Sequence, residues 1–140
     1  MISEFFFQIA ELKKLPRSGW KIKIGLNDSE SVAEHSYMMS VMSMILSDMK
    51  SLNSEKVLKM TILHDWAESK IGDFMPEQIE YEKKSELESY AMSEILELLP
   101  HKIQSEYQDI WDEFLDRKTS EARLVHELDK LEMALQAKIY

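Results

Sequence analysis

The chain of 140 residues contains no cysteine. That excludes a disulfide framework, an iron–sulfur site and thiol chemistry, and makes a reducing cytoplasm its simplest expected home. Glycine and proline number only 3 each. So few breakers leave no low-complexity linker and favour helices over a sheet of many short strands. Long apolar runs are missing too. The longest early one, Phe5-Phe6-Phe7, is interrupted by Gln8 and Glu11 and follows no basic leader. It is too short to cross a membrane, so no targeting segment and no membrane partner are expected. Basic charge is also scarce: 17 Lys and Arg face 26 Asp and Glu, a formal net charge of −9. Such a surface repels phosphate backbones at long range, and duplex nucleic acid is not an expected partner. A small phosphorylated ligand stays compatible, because one local arginine or metal outweighs the global field.

What is present fits a folded unit. An apolar fraction of 44% can build a core, and 31% charged residues supply a surface. The length suits a single domain over residues 1–140. Residues 3–15 read as an amphipathic helix capped by Ser3, with Phe6, Ile9 and Leu12 on one stripe and Pro16 as its end. Residues 16–30 are rich in breakers, although Trp20, Ile22 and Ile24 alternate with lysines and allow a short extended piece. Ser31-Val32-Ala33-Glu34 has the form of a capping box and opens a Met-rich helix to about Lys50. Its nearly all-round apolarity predicts a central, buried helix. Ser54 is the expected cap of the next helix, which runs towards Ser69 and stops at Gly72. Pro76 reads as the start of a turn or short helix. Two more helices are predicted over residues 85–99 and 102–116, separated by Pro100. A last one is capped by Thr119 or Ser120, with Leu124, Leu128, Leu131 and Leu135 as its stripe. The predicted fold is an all-α bundle of about six helices. No stop signal precedes Tyr140.

The chemistry-bearing residues cluster in pattern. His64-Asp65 lies deep in the apolar pattern of its helix, after Ile62-Leu63. A buried imidazole beside a carboxylate needs a partner. Glu68 follows His64 by one helical turn, so the three residues can share one side. His35 stands at the start of the Met-rich helix, and Asp129 follows Leu128 in the last. Singly, each has a bland explanation: His35 as a satisfied core histidine, His64-Asp65 as a hydrogen-bonded pair, Asp129 as a partner of Lys130 or Arg123. As an ordered set they form a two-His, two-Asp group. Imidazole plus carboxylate suits a borderline divalent cation better than Ca. The expected cofactor is one divalent ion: Mn, Co, Fe, Ni, Zn or Mg. Four protein ligands on an octahedral ion leave about two positions open. A cation lowers the pKa of its water from about 15.7 towards roughly 7 in the best case, which suits attack on phosphorus. His101 and His126 read as structural or exposed.

Four strings carry a family likeness: Leu15-Pro16-Arg17-Ser18-Gly19-Trp20, Glu30-Ser31-Val32-Ala33-Glu34-His35-Ser36, His64-Asp65-Trp66-Ala67-Glu68 with Gly72-Asp73, and Asp129-Lys130-Leu131-Glu132 with Gln136-Ala137. In this order and spacing the chain resembles the HD-domain phosphohydrolases, and within them the 5′-deoxynucleotidase family, over nearly its whole length. The resemblance implies His35, His64, Asp65 and Asp129 as metal ligands and Glu68 as the acid/base residue. It implies Arg17 as the phosphate-orienting residue, Trp20 as a substrate-pocket aromatic and Asp73 as a contact to the sugar or a second cation. It implies removal of the 5′-phosphate from deoxyribonucleoside monophosphates by a homodimer. Ser18 departs from the family pattern, which also uses an aromatic directly after the arginine. The stretch from Phe74 to Glu82 is shorter than expected, and family chains continue past the position of Tyr140, so a C-terminal helix of the HD domain is expected to be missing. The alternatives are another HD-domain nucleotide phosphodiesterase or pyrophosphohydrolase, and a non-catalytic nucleotide-binding module. Dinuclear members need extra His ligands before the final Asp, and only His101 and His126 lie there.

Overall fold

The structure, a computed structural model, describes residues 1–18, 29–73 and 80–140. The alternating stretch around Trp20 and the Pro76 turn lie outside the described residues. Six helices of nine residues or more are present among the described residues: α1 (Ile2–Ala10), α2 (Val32–Met49), α3 (Ser54–Leu63), α5 (Tyr81–Glu97), α6 (His101–Asp116) and α7 (Ser120–Ile139). A short helix α4 (Glu68–Ile71) and a 3₁₀ turn at Glu11–Lys13 complete the set. Extended pairing among these residues is limited to one isolated bridge, Pro16 to Ser31. The fold is all-α, as the sequence predicts.

The chain forms two compact units, residues 1–34 with 65–105, and residues 35–64 with 106–140. In the first, α1 packs on α4. Phe5 meets Trp66 edge to face with ring centroids 5.1 Å apart. The Gln8 amide donates to the Ser69 carbonyl and hydroxyl, both at 3.1 Å. The buried stripe of α1 contains Phe5 and leads to Leu12, whereas Phe6 is exposed. At about 100° per residue, positions 5, 9 and 12 fall on one side and position 6 does not. The helix also starts at Ile2, ahead of the expected Ser3 cap.

The capping box at the start of α2 forms as read. The Ser31 N–H donates to Glu34 Oε1 at 2.9 Å, and the Glu34 N–H to Ser31 Oγ at 3.1 Å. The same stretch is tied to the segment after α1. The Arg17 N–H donates to the Glu30 carbonyl at 3.0 Å, and the Val32 N–H to the Leu15 carbonyl at 2.8 Å. Gly72 ends α4 at φ 84°, a left-handed conformation that favours glycine.

The second unit packs α3 against α7 around Val57, Met60, Leu63, Leu124, Val125 and Leu128. Asn53, not Ser54, caps α3, its side chain accepting the Lys56 N–H at 3.1 Å. Ser54 instead accepts the Ser47 hydroxyl and donates to Asp48. Thr119 caps α7 by accepting the Ala122 N–H at 3.1 Å. The helix α3 stops at Leu63 rather than continuing to Ser69. His64 donates its ring N–H to the Thr61 carbonyl, a side-chain partner of the kind that serves helix ends.

Two helices bury a narrower or different face than their composition predicts. Within the second unit, α2 buries His35, Met39, Ser43 and Ser47, spaced by four, while Tyr37, Met44, Ile45 and Met49 are exposed. On α7 the buried face is Leu124, Val125, Leu128 and Glu132, and the expected Leu131 and Leu135 are exposed.

Candidate metal centre

Three sequence-predicted ligands meet in the second unit. His35 comes from α2, His64 from the C-cap of α3 and Asp129 from α7. His35 Nε2 lies 2.8 Å from Asp129 Oδ1. His64 Nε2 lies 3.8 Å from the same oxygen. One ligand atom from each residue falls within 4.8 Å of the others. His35 is 0% exposed, His64 is buried and Asp129 is half-buried.

Hydrogen bonds behind the rings define their chemistry. A carbonyl only accepts, so His64 Nδ1 carries the proton that meets the Thr61 oxygen. His35 Nδ1 faces Glu132 Oε2 at 2.6 Å, and Glu132 is 1% exposed. With both Nδ1 atoms protonated, each ring turns its Nε2 to the Asp129 oxygen and is an acceptor there unless that nitrogen also carries a proton. Three acceptors converging on one point repel one another unless a cation or proton lies between them. The donor set therefore fits a divalent cation. Burial alone would raise the Asp129 carboxyl, but hydrogen bonds and charge from His35 and His64 outweigh it and hold it well below the usual carboxylate range.

Aromatic packing backs the site. The His35 and His64 rings stand edge to face with centroids 6.0 Å apart. Phe114 meets the His64 edge at 5.7 Å and stacks on His126 at 4.1 Å. His126 Nε2 donates to the Phe114 carbonyl at 2.7 Å. Burial lowers the His126 pKa from its ordinary value, against the Phe114 carbonyl that accepts its ring N–H. The ring serves packing, as read from the sequence, and His101 is exposed.

The other candidates belong to the first unit. Asp65, peptide-bonded to His64, is buried, and so is Glu68, whose N–H donates to the Asp65 carbonyl at 3.0 Å. Arg17 is buried, with its Nε 3.9 Å from Glu30 Oε1. Asp73 Oδ2 accepts the Ser18 N–H at 2.9 Å, and the Ser18 hydroxyl donates to the Asp73 carbonyl. This strap places Asp73 beside the arginine segment. Burial raises the Asp73 carboxyl, against the opposing Arg17 charge and the Ser18 N–H. Trp20 lies outside the described residues.

Sequence reasoning missed Glu132 as a member of the centre. The signal was available: Glu132 follows the buried Leu128 by four, so it falls on the core face of α7, and it follows Asp129 by three.

An all-α fold that turns two imidazoles and a carboxylate to one point, with an aspartate directly after one histidine, defines the class of helical metal-centre proteins of the His-Asp type. The HD domain family matches residues 9–140, and the chain belongs to that family. It is 41% identical over 145 residues to the protein of Dictyostelium discoideum called 5′-deoxynucleotidase HDDC2, covering 98% of this chain and 76% of the relative. It is 39% identical over 138 residues to the protein of the same name from Xenopus laevis, covering 98% of this chain and 68% of the relative. Among solved structures, a conserved hypothetical protein from Pyrococcus furiosus superposes with a TM-score of 0.85 at 34% identity, covering 99% of this chain and 78% of the other.

Proposed function

We propose that the chain is a metal-dependent 5′-deoxynucleotidase, a phosphoric monoester hydrolase that removes the 5′-phosphate from deoxyribonucleoside monophosphates. The observation that carries this reading is the convergence of His35, His64 and Asp129 in a chain whose relatives bear that name. We assign His35, His64, Asp65 and Asp129 as metal ligands, and one of Mn, Co, Fe, Ni, Zn or Mg as the ion. When bound, the ion supplies positive charge for the phosphate and acidifies water.

The remaining roles fall to this chain's own residues. Arg17 binds the phosphate, because a planar guanidinium matches two phosphate oxygens at once. In the reaction a water oxygen bonds to phosphorus and the bond to the 5′ oxygen breaks. Glu68 takes the proton of the attacking water and returns it to the departing oxygen. Trp20 contributes to the nucleoside pocket, and Asp73 contacts the sugar or a second cation. The Ser18–Asp73 strap supports a shared placement of Asp73 and the Arg17 segment.

Residues 1–140 act as a single domain in this reading, in a cytoplasmic homodimer. An exposed apolar face of α2, formed by Tyr37, Val41, Met44 and Ile45, supports association. Trp111 is buried and packs against Phe114, so it does not contribute to that face. The net charge of −9 supports a small nucleotide rather than duplex nucleic acid as the partner. Among the described residues no helix is long and apolar enough to cross a membrane.

The test is phosphate release from dAMP and AMP, side by side, by metal-stripped protein resupplied with Mn, Co or Mg. Release from dAMP well above AMP, lost in His64→Ala, is the expected result. Equal release from both overturns the sugar selectivity. No release from either, with metal bound and fold intact, overturns the deoxynucleotidase reading and favours another phosphoester.

A further inference from the structure

We propose that Glu132 is a positioning residue of the metal centre: it locks His35 with its proton on Nδ1 and its lone pair on Nε2, and thereby strengthens cation binding. The inference rests on the reading above that His35 is a ligand. Glu132 itself carries none of the roles assigned there.

Three observations support it. The first is distance. Glu132 Oε2 lies 2.6 Å from His35 Nδ1, a short charge-assisted contact between residues that are 1% and 0% exposed. The second is geometry along α7. Asp129 and Glu132, three apart, reach the two nitrogens of one ring: Asp129 meets Nε2 and Glu132 meets Nδ1. The ring is held at both ends and cannot flip without losing a carboxylate contact. The third is cost. Glu132 occupies the core face of α7, one turn after Leu128, where an apolar side chain would pack. Its second oxygen, Oε1, is buried with no hydrogen-bond partner among the described residues. A buried carboxylate oxygen without a partner costs desolvation free energy that an apolar side chain at the same position does not. Its place is explained by what it does to His35, since an imidazole that donates to a carboxylate is fixed in tautomer and is a more basic ligand.

The test uses the metal-stripped full chain and Mn²⁺ alone as probe. Affinity is measured by calorimetry for the wild type, His35→Ala, Glu132→Gln and Glu132→Leu. The tautomer of His35 is read from its ring ¹⁵N shifts, and stability from urea melts. Glu132→Gln keeps an acceptor for the Nδ1 proton but removes the charge, so Mn²⁺ binding weakens about tenfold with the tautomer retained. Glu132→Leu removes both, so binding weakens by up to about a hundredfold and the proton redistributes between the two ring nitrogens. Apo stability of Glu132→Leu falls, because the buried His35 Nδ1–H loses its acceptor, whereas Glu132→Gln keeps one and holds its apo stability. Stability maintained in Glu132→Gln while its affinity falls is a result that a purely structural glutamate does not give. Wild-type Mn²⁺ affinity and His35 shifts in both Glu132 variants, with His35→Ala weakened, overturn the inference alone. Wild-type affinity in His35→Ala overturns the ligand reading and the inference with it. If Glu132→Leu does not fold, the near-isosteric Glu132→Gln decides.

Discussion

His35 Nε2 lies 2.8 Å from Asp129 Oδ1, although 94 residues separate them in the chain. The contact ties the first turns of α2 to the middle of α7. It sets an imidazole nitrogen against a carboxylate whose acidity the ring itself enhances. Such a pair, with His64 Nε2 3.8 Å from the same oxygen, is held together by positive charge.

Cation binding is therefore expected to stabilise the fold. Adding Mn²⁺ or Co²⁺ to stripped protein at about 100 times its dissociation constant should add about 2.7 kcal/mol. A chelator should reverse the gain. Asp129→Asn and His35→Ala should remove the metal response, with thermal melts as the measurement.

Glu68→Gln should separate turnover from binding. Loss of a positioned acid/base group lowers kcat by about 10²- to 10⁴-fold. Mn²⁺ affinity and the melting temperature of the loaded protein should change little. A Glu68→Gln enzyme with wild-type kcat would sink the assignment.

Met60, 0% exposed in the core between α3 and α7, should be a stability determinant with no direct part in chemistry. Met60→Ala deletes buried atoms and leaves a cavity, which costs about 2–5 kcal/mol in urea denaturation. Loss of less than about 1 kcal/mol would contradict the burial of Met60 between these helices.

Glu121 gives the fold a small acid-sensitive element. Its carboxylate accepts the Asn53 N–H at 3.2 Å, and that hydrogen bond lowers its pKa from the ordinary 4.5. A folded-state pKa below the unfolded one means stabilisation present above pH 4.5 and lost as pH falls through the folded value. Glu121→Gln should be less stable than the wild type at pH 7. The gap should close in acid, as followed by urea melts across that range.

Helix positions and terminators were legible in the sequence because they depend on local chemistry. The capping box at Ser31 and Glu34, the stop at Gly72 and the Thr119 cap are decided by residues within a turn of one another. Ser54 shows where local reading stops. Asn53 and Ser54 are both good caps, and the Ser54 hydroxyl was taken by Ser47 and Asp48 from the preceding helix.

The sequence offered a candidate metal set as a list of residues, since histidines and carboxylates placed in apolar helix patterns demand partners, and the structure brings His35, His64 and Asp129 of that list together. Which atoms meet was decided only by tertiary structure. Asp129 was free, on sequence grounds, to pair with Lys130 or Arg123; the packing of α3 on α7 brings His64 to it instead, and α2 brings His35. Glu132 shows the same division. Its spacing from Leu128 and Asp129 placed it on the core face of α7, but a core glutamate has no assigned partner until another helix supplies one. The reason is physical: periodicity and capping act over one helical turn, whereas tautomer, carboxylate acidity and cation fit depend on atoms a few ångströms apart in space and up to 97 residues apart in sequence.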